Sequence, residues 1–253
     1  MRLDVYLVEK GYFDSRTKAK QAIERGEVFL DGKVIYKSSL EIVGEPNSVD
    51  LIRETEFVSL GGYKLHKALI DFNLVVKDLV VADIGASTGG FTDCLLKNGA
   101  KTVFAVDLND GLLHEKLQRD DRVISVIKNA RELTKSDFSL KLDMLVADLS
   151  FISATYVLKT FSELLDQGKK VVLLIKPQFE TGGKKRFKNG IIRDSKIHKS
   201  VCESIFNFAQ TVDLYPFDFT LAPKKDGKNV EFLLLLVKGE PKNSLDISKI
   251  KYS

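Results

Sequence analysis

The chain has 253 residues, 44% hydrophobic, 29% charged and 9% aromatic, enough to build a core in one large domain or in a medium and a small one. Lys and Arg exceed Asp and Glu by 39 to 35, a formal +4, which excludes an acidic solvating chain and a polycationic tail but names no partner. Only Cys94 and Cys202 are present, which excludes a thiolate zinc cluster and disfavours a disulfide-stapled fold. The first ten residues hold no apolar stretch of signal length, and the longest clean apolar run, Phe232–Val237, is far short of the roughly 20 residues of a membrane helix. A soluble cytoplasmic protein is the expectation.

The positive excess is unevenly spread. Residues 1–60 hold nine basic and eleven acidic side chains, net −2, and residues 61–253 hold thirty and twenty-four, net +6. The texture changes near residue 60, where Gly61-Gly62 reads as a flexible or tight joint, so the expected domains are 1–60 and 61–253. In the first, Leu3, Tyr6 and Leu7 keep helical spacing and Gly11 supplies a C-cap. Ser15 can cap a second helix bearing Ala19, Ala22 and Ile23, which Gly26 stops. V-F-L, an Asp31-Gly32 turn and K-V-I predict a short hairpin, and Glu41–Asp50 reads as a turn. Arg16, Lys18 and Lys20 fall on the second helix, close to Arg25. They form either a basic face for a phosphate backbone or an ordinary solvated surface.

The second part alternates strand-like runs (Leu79–Ile84, Thr102–Asp107, Val123–Val126, Met144–Asp148, Lys170–Ile175, Phe232–Val237) with helix-like ones (Gly90–Lys97, Leu112–Gln118, Thr155–Leu165, Ser195–Ala209). Lys64 falls near the start of a further helix. Near-continuous apolar strands alternating with helices predict an α/β fold whose mostly parallel sheet is covered on both faces.

The sharpest local feature is V-V-A-D-I-G-A-S-T-G-G-F-T-D, residues 80–93. An apolar strand ends at Asp83 and Ile84, and Gly85, Gly89 and Gly90 allow a tight turn into a helix and close approach by a ligand. The spacing departs from G-x-G-x-x-G, so a plain nicotinamide site fits less well. Asp107 ends the next strand, where an acid can accept hydrogen bonds from the two ribose hydroxyls of a nucleoside cofactor. Asp148 ends another in M-L-V-A-D-L-S-F-I-S. Ligands of open α/β sheets bind at the carboxyl ends of strands, and aspartates stand at three such ends.

Lys64, Lys176 at the end of V-V-L-L-I, and Glu231 before F-L-L-L-L-V are either solvated strand and helix ends or, with Asp148, a self-neutralising Lys-Asp-Lys-Glu cluster that holds a lysine poised as a base. Residues 176–200 hold eight basic and two acidic side chains, net +6. Within them Glu180–Asp194 reads as a basic loop suited to nucleic-acid phosphate, or as a plain solvated loop. Phe179 and Phe187 interleave with that charge, for base stacking or for packing. His66, His114 and His198 lack metal-ligand spacing and read as surface or helix residues, His114 near the cofactor. No metal is expected.

The whole chain resembles the TlyA family of haemolysin-named RNA 2'-O-methyltransferases. M-R-L-D-V-Y-L-V-E-K-G and S-R-T-K-A-K-Q-A-I-E-R-G-E-V-F-L-D-G-K-V are similar to the RNA-binding module of small-subunit ribosomal protein S-four. That resemblance implies Arg2, Ser15, Arg16, Lys18, Lys20, Arg25 and Lys33 as RNA contacts, joined by Lys184, Lys185, Arg186 and Lys188 of the basic loop. D-I-G-A-S-T-G-G-F-T-D resembles the cofactor turn of FtsJ-like enzymes. It implies a Rossmann-like class I methyltransferase with an S-adenosyl-L-methionine site at Asp83, Gly85, Ala86, Ser87, Gly89, Gly90 and Phe91, with Asp107, Leu108 and Asp148. The catalytic Lys-Asp-Lys-Glu set of the related enzymes falls on Lys64, Asp148, Lys176 and Glu231. The sequence departs from the family at S-L-G-G, where Leu60 replaces an arginine, and at Asn109, Asp110 and Leu112 after the ribose acid.

The resemblance implies methyl transfer to a ribose 2'-hydroxyl, that of a cytidine, in ribosomal RNA, free or in ribosomal subunits, without a membrane or metal. Two other readings compete: a ribosome-associated RNA binder without activity, and a membrane-active haemolysin, although no spanning or long amphipathic stretch is evident.

Overall fold

A computed structural model of the chain describes residues 1–13, 15–31, 33–51, 57–182, 187, 190–223, 227–241, 245, 250 and 252, the side chains of Arg25 and Asp50 excepted. The chain divides into two compact units, Met1–Glu56 and Phe57–Ser253.

In the first unit two helices, α1 (Leu3–Glu9) and α2 (Arg16–Arg25), accompany a three-stranded antiparallel sheet of order β2-β1-β3, formed by β1 (Val28–Leu30), β2 (Lys33–Ile35) and β3 (Val49–Leu51). Ser15 Oγ accepts a hydrogen bond from Lys18 N at 3.3 Å, satisfying one free amide of the first turn, and Gly26 closes α2 in the left-handed conformation. Leu3 and Leu7 pack against Ala19, Ala22 and Ile23 over Val28 and Leu30. β3 lies in the acidic stretch read as a turn. Its three residues take strand form from pairing with β1 (Val28↔Leu51) rather than from a pattern of their own.

The second unit opens with α3 (Leu60–Asp71) and then alternates strand and helix: β4 (Val80–Ile84), α4 (Gly90–Lys97), β5 (Thr102–Asp107), α5 (Glu115–Gln118), β6 (Val123–Ile127), β7 (Met144–Ala147), α6 (Thr155–Leu164), β8 (Lys170–Ile175), α7 (Pro177–Glu180), α8 (Ser195–Thr211), β9 (Leu214–Leu221) and β10 (Phe232–Lys238). The seven strands form one sheet of order β6-β5-β4-β7-β8-β10-β9. β6, β5, β4, β7 and β8 run parallel, and β10 is antiparallel to both β8 and β9.

Both faces of the sheet are buried along β4, β5, β7, β8 and β10, which explains their unbroken apolar runs. Along β10, Phe232, Leu234 and Leu236 join one core with Val157 and Phe161 of α6 and Ile205 and Phe206 of α8. Leu233 and Leu235 join the other, with Leu65 and Leu69 of α3 and Leu95 of α4. The period-2 alternation of a strand thus divides one hydrophobic run between two helical layers.

Three expectations need correction. The contact boundary lies at 56/57, ahead of the expected 60/61, because Phe57 is 1% exposed in the core of the second unit and Val58 N donates to Asp93 Oδ2 at 2.8 Å. Gly61 and Gly62 are helical, not a joint. A Cβ on Gly62 would lie 2.3 Å from the Phe57 side chain, so glycine there admits close packing rather than motion. The expected helix Leu112–Gln118 shortens to Glu115–Gln118, capped by His114, whose Nδ1 accepts from Lys116 N at 3.3 Å. β9 escaped the pattern because L-Y-P-F-D-F-T-L contains Pro216 and Asp218. It is an edge strand, where a missing N–H is tolerated.

Phe161 is fully buried between the sheet and α8. Phe161→Ala is expected to lower the unfolding free energy by about 3–5 kcal/mol, measured by urea denaturation.

Candidate active site

The strand order reverses between β4 and β7: the chain builds outward through β5 and β6, then returns to place β7 and β8 on the other side of β4. A crevice outside the carboxyl ends of strands at such a switch point is where open α/β sheets bind ligands. A cleft of about 220 Å³ lies there, lined by Asp83, Gly85, Ser87, Phe91, Asp148 and Lys176 among others.

Gly85 makes the crevice possible. It has φ +83°, and a Cβ on it would lie 2.7 Å from the backbone oxygen of Asp148, so only glycine lets the β4 turn and the end of β7 approach this closely. Asp148 N donates in turn to Ile84 O at 3.1 Å.

Asp83 is fully buried. Its Oδ2 accepts from Thr92 Oγ1 at 2.7 Å, and its Oδ1 has no partner among the described residues. Burial pushes its carboxyl up to about 7, helped by the negative charges of Asp148 and Asp107 and opposed by the Thr92 hydrogen bonds. Asp107, at the end of β5, is already engaged: Oδ2 accepts from Ser87 N at 2.9 Å and Oδ1 from Leu108 N at 2.7 Å. These bonds fix Ser87, which has φ +49°, and leave Oδ2 with acceptor capacity to spare.

The four residues of the expected tetrad form two ion pairs. Lys176 Nζ lies 2.5 Å from Asp148 Oδ1 and donates to Ser150 Oγ at 2.8 Å. Lys64 Nζ on α3 lies 2.5 Å from Glu231 Oε2. Phe232 of β10 pairs with Ile175 of antiparallel β8, so Glu231 and Lys176 stand side by side just beyond the last paired residues of adjacent strands. All four side chains are largely shielded, 11–21% exposed, which strengthens attraction between them relative to bulk water.

Sequence reasoning missed the second tie between the Asp148 and Lys176 segments. Glu180, read as the start of the basic loop, belongs to α7. Its Oε2 accepts from Ser153 Oγ at 2.5 Å and its Oε1 from Ala154 N at 2.9 Å, and burial pushes its carboxyl upward. Glu180 thereby locks the D-L-S-F-I-S turn. In that turn Phe151 is 86% exposed with φ +66°, its ring 5.0 Å from that of Phe179. The exposed aromatic face therefore belongs to Phe151, with the half-buried Phe179 behind it. The signal was present: Phe151 and Glu180 stand inside the two motifs that supply Asp148 and Lys176.

In the first unit, Arg2 and Arg16 converge on Asp4, at 3.0 and 3.1 Å. Asp4 is 2% exposed. Its burial would raise its carboxyl, but the two guanidiniums hold it below the usual range. Lys20 pairs with Glu24 at 3.8 Å, Ser15 serves as a helix cap, and Lys33 is exposed on β2. The Arg25 side chain and Lys184, Lys185, Arg186 and Lys188 lie outside the described residues.

Residues 57–236 match the family model of the FtsJ-like methyltransferase, from the same Phe57 that opens the second unit, and residues 1–43 match the S4 domain. The 16S/23S rRNA (cytidine-2'-O)-methyltransferase TlyA of Mycobacterium tuberculosis is 34% identical over 93% of this chain and 89% of its own length. The chain belongs to the TlyA family. Hemolysin A of Brachyspira hyodysenteriae, another TlyA relative, is 37% identical over 92% of this chain and 98% of its own. The solved structure of a hemolysin-named protein from Streptococcus thermophilus superposes with a TM-score of 0.72 at 39% identity, covering 95% of this chain and 89% of that one. An S-adenosylmethionine-dependent methyltransferase from Listeria monocytogenes, at 13% identity and TM-score 0.52 over 71% of this chain and 99% of its own, shares the fold alone. Among the described residues no helix is long and apolar enough to cross a membrane.

Asp83 yields a stability prediction. Its native carboxyl titrates near 7 rather than near 3.8, so between these values the native state holds more proton than the unfolded chain. Its contribution is full below about pH 4 and is lost as pH rises through about 7. Asp83→Asn is expected to flatten the fall in stability between pH 4 and 7, read from urea midpoints across that range.

Proposed function

We propose that this protein transfers the methyl group of S-adenosyl-L-methionine to the 2'-hydroxyl of a cytidine ribose in ribosomal RNA, in the cytoplasm. The observation that carries the reading is the arrangement at one cleft: a buried carboxylate oxygen without a partner, on Asp83, opposite Lys176, which Asp148 and Ser150 hold.

The cleft suits the donor. Asp83 Oδ1 lacks a cationic or hydrogen-bonding partner such as the amino group of a methionyl moiety would supply. Gly85, Ala86, Ser87, Gly89, Gly90 and Phe91 form the turn around it, and Asp107 Oδ2 retains capacity for a ribose hydroxyl, with Leu108 beside it. When bound, S-adenosyl-L-methionine supplies an electrophilic methyl on a positively charged sulfur, so the chain's residues need only place the nucleophile in line with it.

Lys176, once its ammonium has released a proton to solvent, orients the 2'-oxygen and accepts the hydroxyl proton as the methyl is transferred, and Asp148 steadies the ammonium so regenerated. Lys64, paired with Glu231, holds the neighbouring phosphate. Because the 2'-hydroxyl exists only in RNA, the chemistry itself separates RNA from DNA. Arg2, Lys18, Lys20 and Lys33 of the S4 domain supply phosphate contacts, with Asp4 fixing the Arg2 and Arg16 guanidiniums.

Phe151 supplies a stacking face for a base of the substrate. A non-glycine residue held at positive φ costs of order 1–3 kcal/mol, and an exposed ring returns nothing by burial, so its place is better explained by a partner than by folding.

The test incubates purified protein and labelled donor with ribosomal subunits and free ribosomal RNA and maps the modified ribose. Absence of transfer to any ribosomal substrate would remove the assignment. Lys176→Ala is expected to lower kcat by roughly 10²–10⁴ while donor binding, followed by calorimetry, persists. Phe151→Ala should weaken RNA binding by roughly 5- to 150-fold, the equivalent of one base stack, and leave donor affinity unchanged.

A further inference from the structure

A second pocket, of about 390 Å³, opens at the same end of the sheet and plays no part in the scheme above. Its walls come from the segment before α8, the first turns of α8, the end of β9, the segment before β10, and Tyr252. The apolar floor includes Ile192, Ala222 and Val230, and the mouth carries Arg193 and Lys228, both exposed. Asn229 assembles it: its Oδ1 accepts from Ile192 N at 2.8 Å and its Nδ2 donates to Gly190 O at 2.9 Å.

Two polar atoms in the wall are buried and unsatisfied. Among the described residues, His198, 3% exposed, has no partner at Nε2 and Tyr252, 8% exposed, has none at its hydroxyl, and both atoms are sealed from solvent. Both rings flank Phe232, at 5.5 and 6.3 Å. Burial pushes the Tyr252 phenol up to about 12, so it remains a neutral donor and acceptor at physiological pH. Native folds rarely leave such groups unpaired. One bridging water occupies about 30 Å³, an order of magnitude less than this pocket, whose size falls in the range of small-ligand sites.

Apolar walls, two hydrogen-bonding atoms inside and two cations at the mouth match a nucleotide: a flat heterocycle with polar edges, joined to a phosphate. The pocket adjoins the tetrad, since Val230 directly precedes Glu231 and Ala222 N donates to Glu231 O at 3.0 Å. We infer that this pocket takes a nucleotide of the RNA substrate close to the target ribose, with its base against Ile192 and Val230, its phosphate at Arg193 and Lys228, and its edge read by His198 and Tyr252 once their rings turn to present the polar atoms now sealed in the wall. The identity of the occupant rests on the RNA methyltransferase reading; the unsatisfied pocket does not.

Tyr252→Phe and His198→Phe provide the test: the first deletes an unsatisfied buried polar atom without changing shape, which does not cost stability, and the second replaces the imidazole by a slightly larger apolar ring. A purely structural role predicts unchanged or higher Tm and unchanged kinetics. The inference predicts unchanged Tm, kcat and donor affinity, with KM for ribosomal RNA raised about five-fold for each hydrogen bond lost. An unchanged KM in both variants overturns it.

A second measurement is independent of activity. With only three histidines, the imidazole signals of the ¹⁵N-labelled protein are assignable by comparison with His198→Phe. A short single-stranded RNA is expected to shift the His198 signal, while cytidine 5'-monophosphate and inorganic phosphate leave it in place. A shift by the mononucleotide alone overturns the RNA source in favour of a free nucleotide, and no shift by any probe overturns the site. Should the protein methylate no RNA, the proposed function falls and this titration still decides the pocket.

Discussion

The catalytic half of the molecule is organised by the close approach of two chain segments at the ends of β4 and β7. The Gly85 turn and the Asp148 backbone meet at a distance that excludes any side chain on Gly85, and the Asp148 amide closes on Ile84 O. From that junction the Asp83 carboxylate faces one side of the cleft and the Asp148 carboxylate reaches Lys176 on the other. Widening the junction by a single methyl group would displace the glycine turn and Lys176 together, so the proposed donor binding and the proposed chemistry share one geometric constraint.

Electrostatics at the junction follow from crowding like charges and compensating only some of them. Asp148 and Glu231 each have a lysine. Asp107 is engaged by backbone amides. Asp83 has a single hydroxyl and no cation, so burial and its acidic neighbours favour its protonated form. An uncompensated buried carboxylate is costly for folding alone, and under the proposed function the cationic donor would complete it. The same imbalance marks the second pocket, where His198 and Tyr252 carry unused polar atoms between apolar walls.

Two further ties hold the reacting groups. Glu180 anchors the Phe151 turn at its far end, while Asp148 and Ser150 anchor it at Lys176. In the S4 domain Asp4 performs an analogous task, as one buried carboxylate fixes two guanidiniums. In both units a buried or half-buried carboxylate acts by orienting other residues.

Much of this was legible in the sequence. Strands buried on both faces write unbroken apolar runs, helices write their caps, and the glycine turn with its aspartates is local enough to be read from spacing, so the α/β class, the glycine turn after β4 and the four charged residues that the fold gathers at the strand ends could be picked out. Tertiary structure alone decided who partners whom. The tetrad separates into Lys64–Glu231 and Lys176–Asp148 because β10 runs antiparallel beside β8 and α3 packs over the sheet, and the first of these pairs joins residues more than 150 positions apart. The edge strand β9, the inclusion of Phe57 in the second unit, the exposure of Phe151 and the unsatisfied pair at His198 and Tyr252 were likewise invisible. The reason is physical: a sequence pattern records the period of a local element, whereas burial and pairing depend on which surfaces the packed sheet brings together.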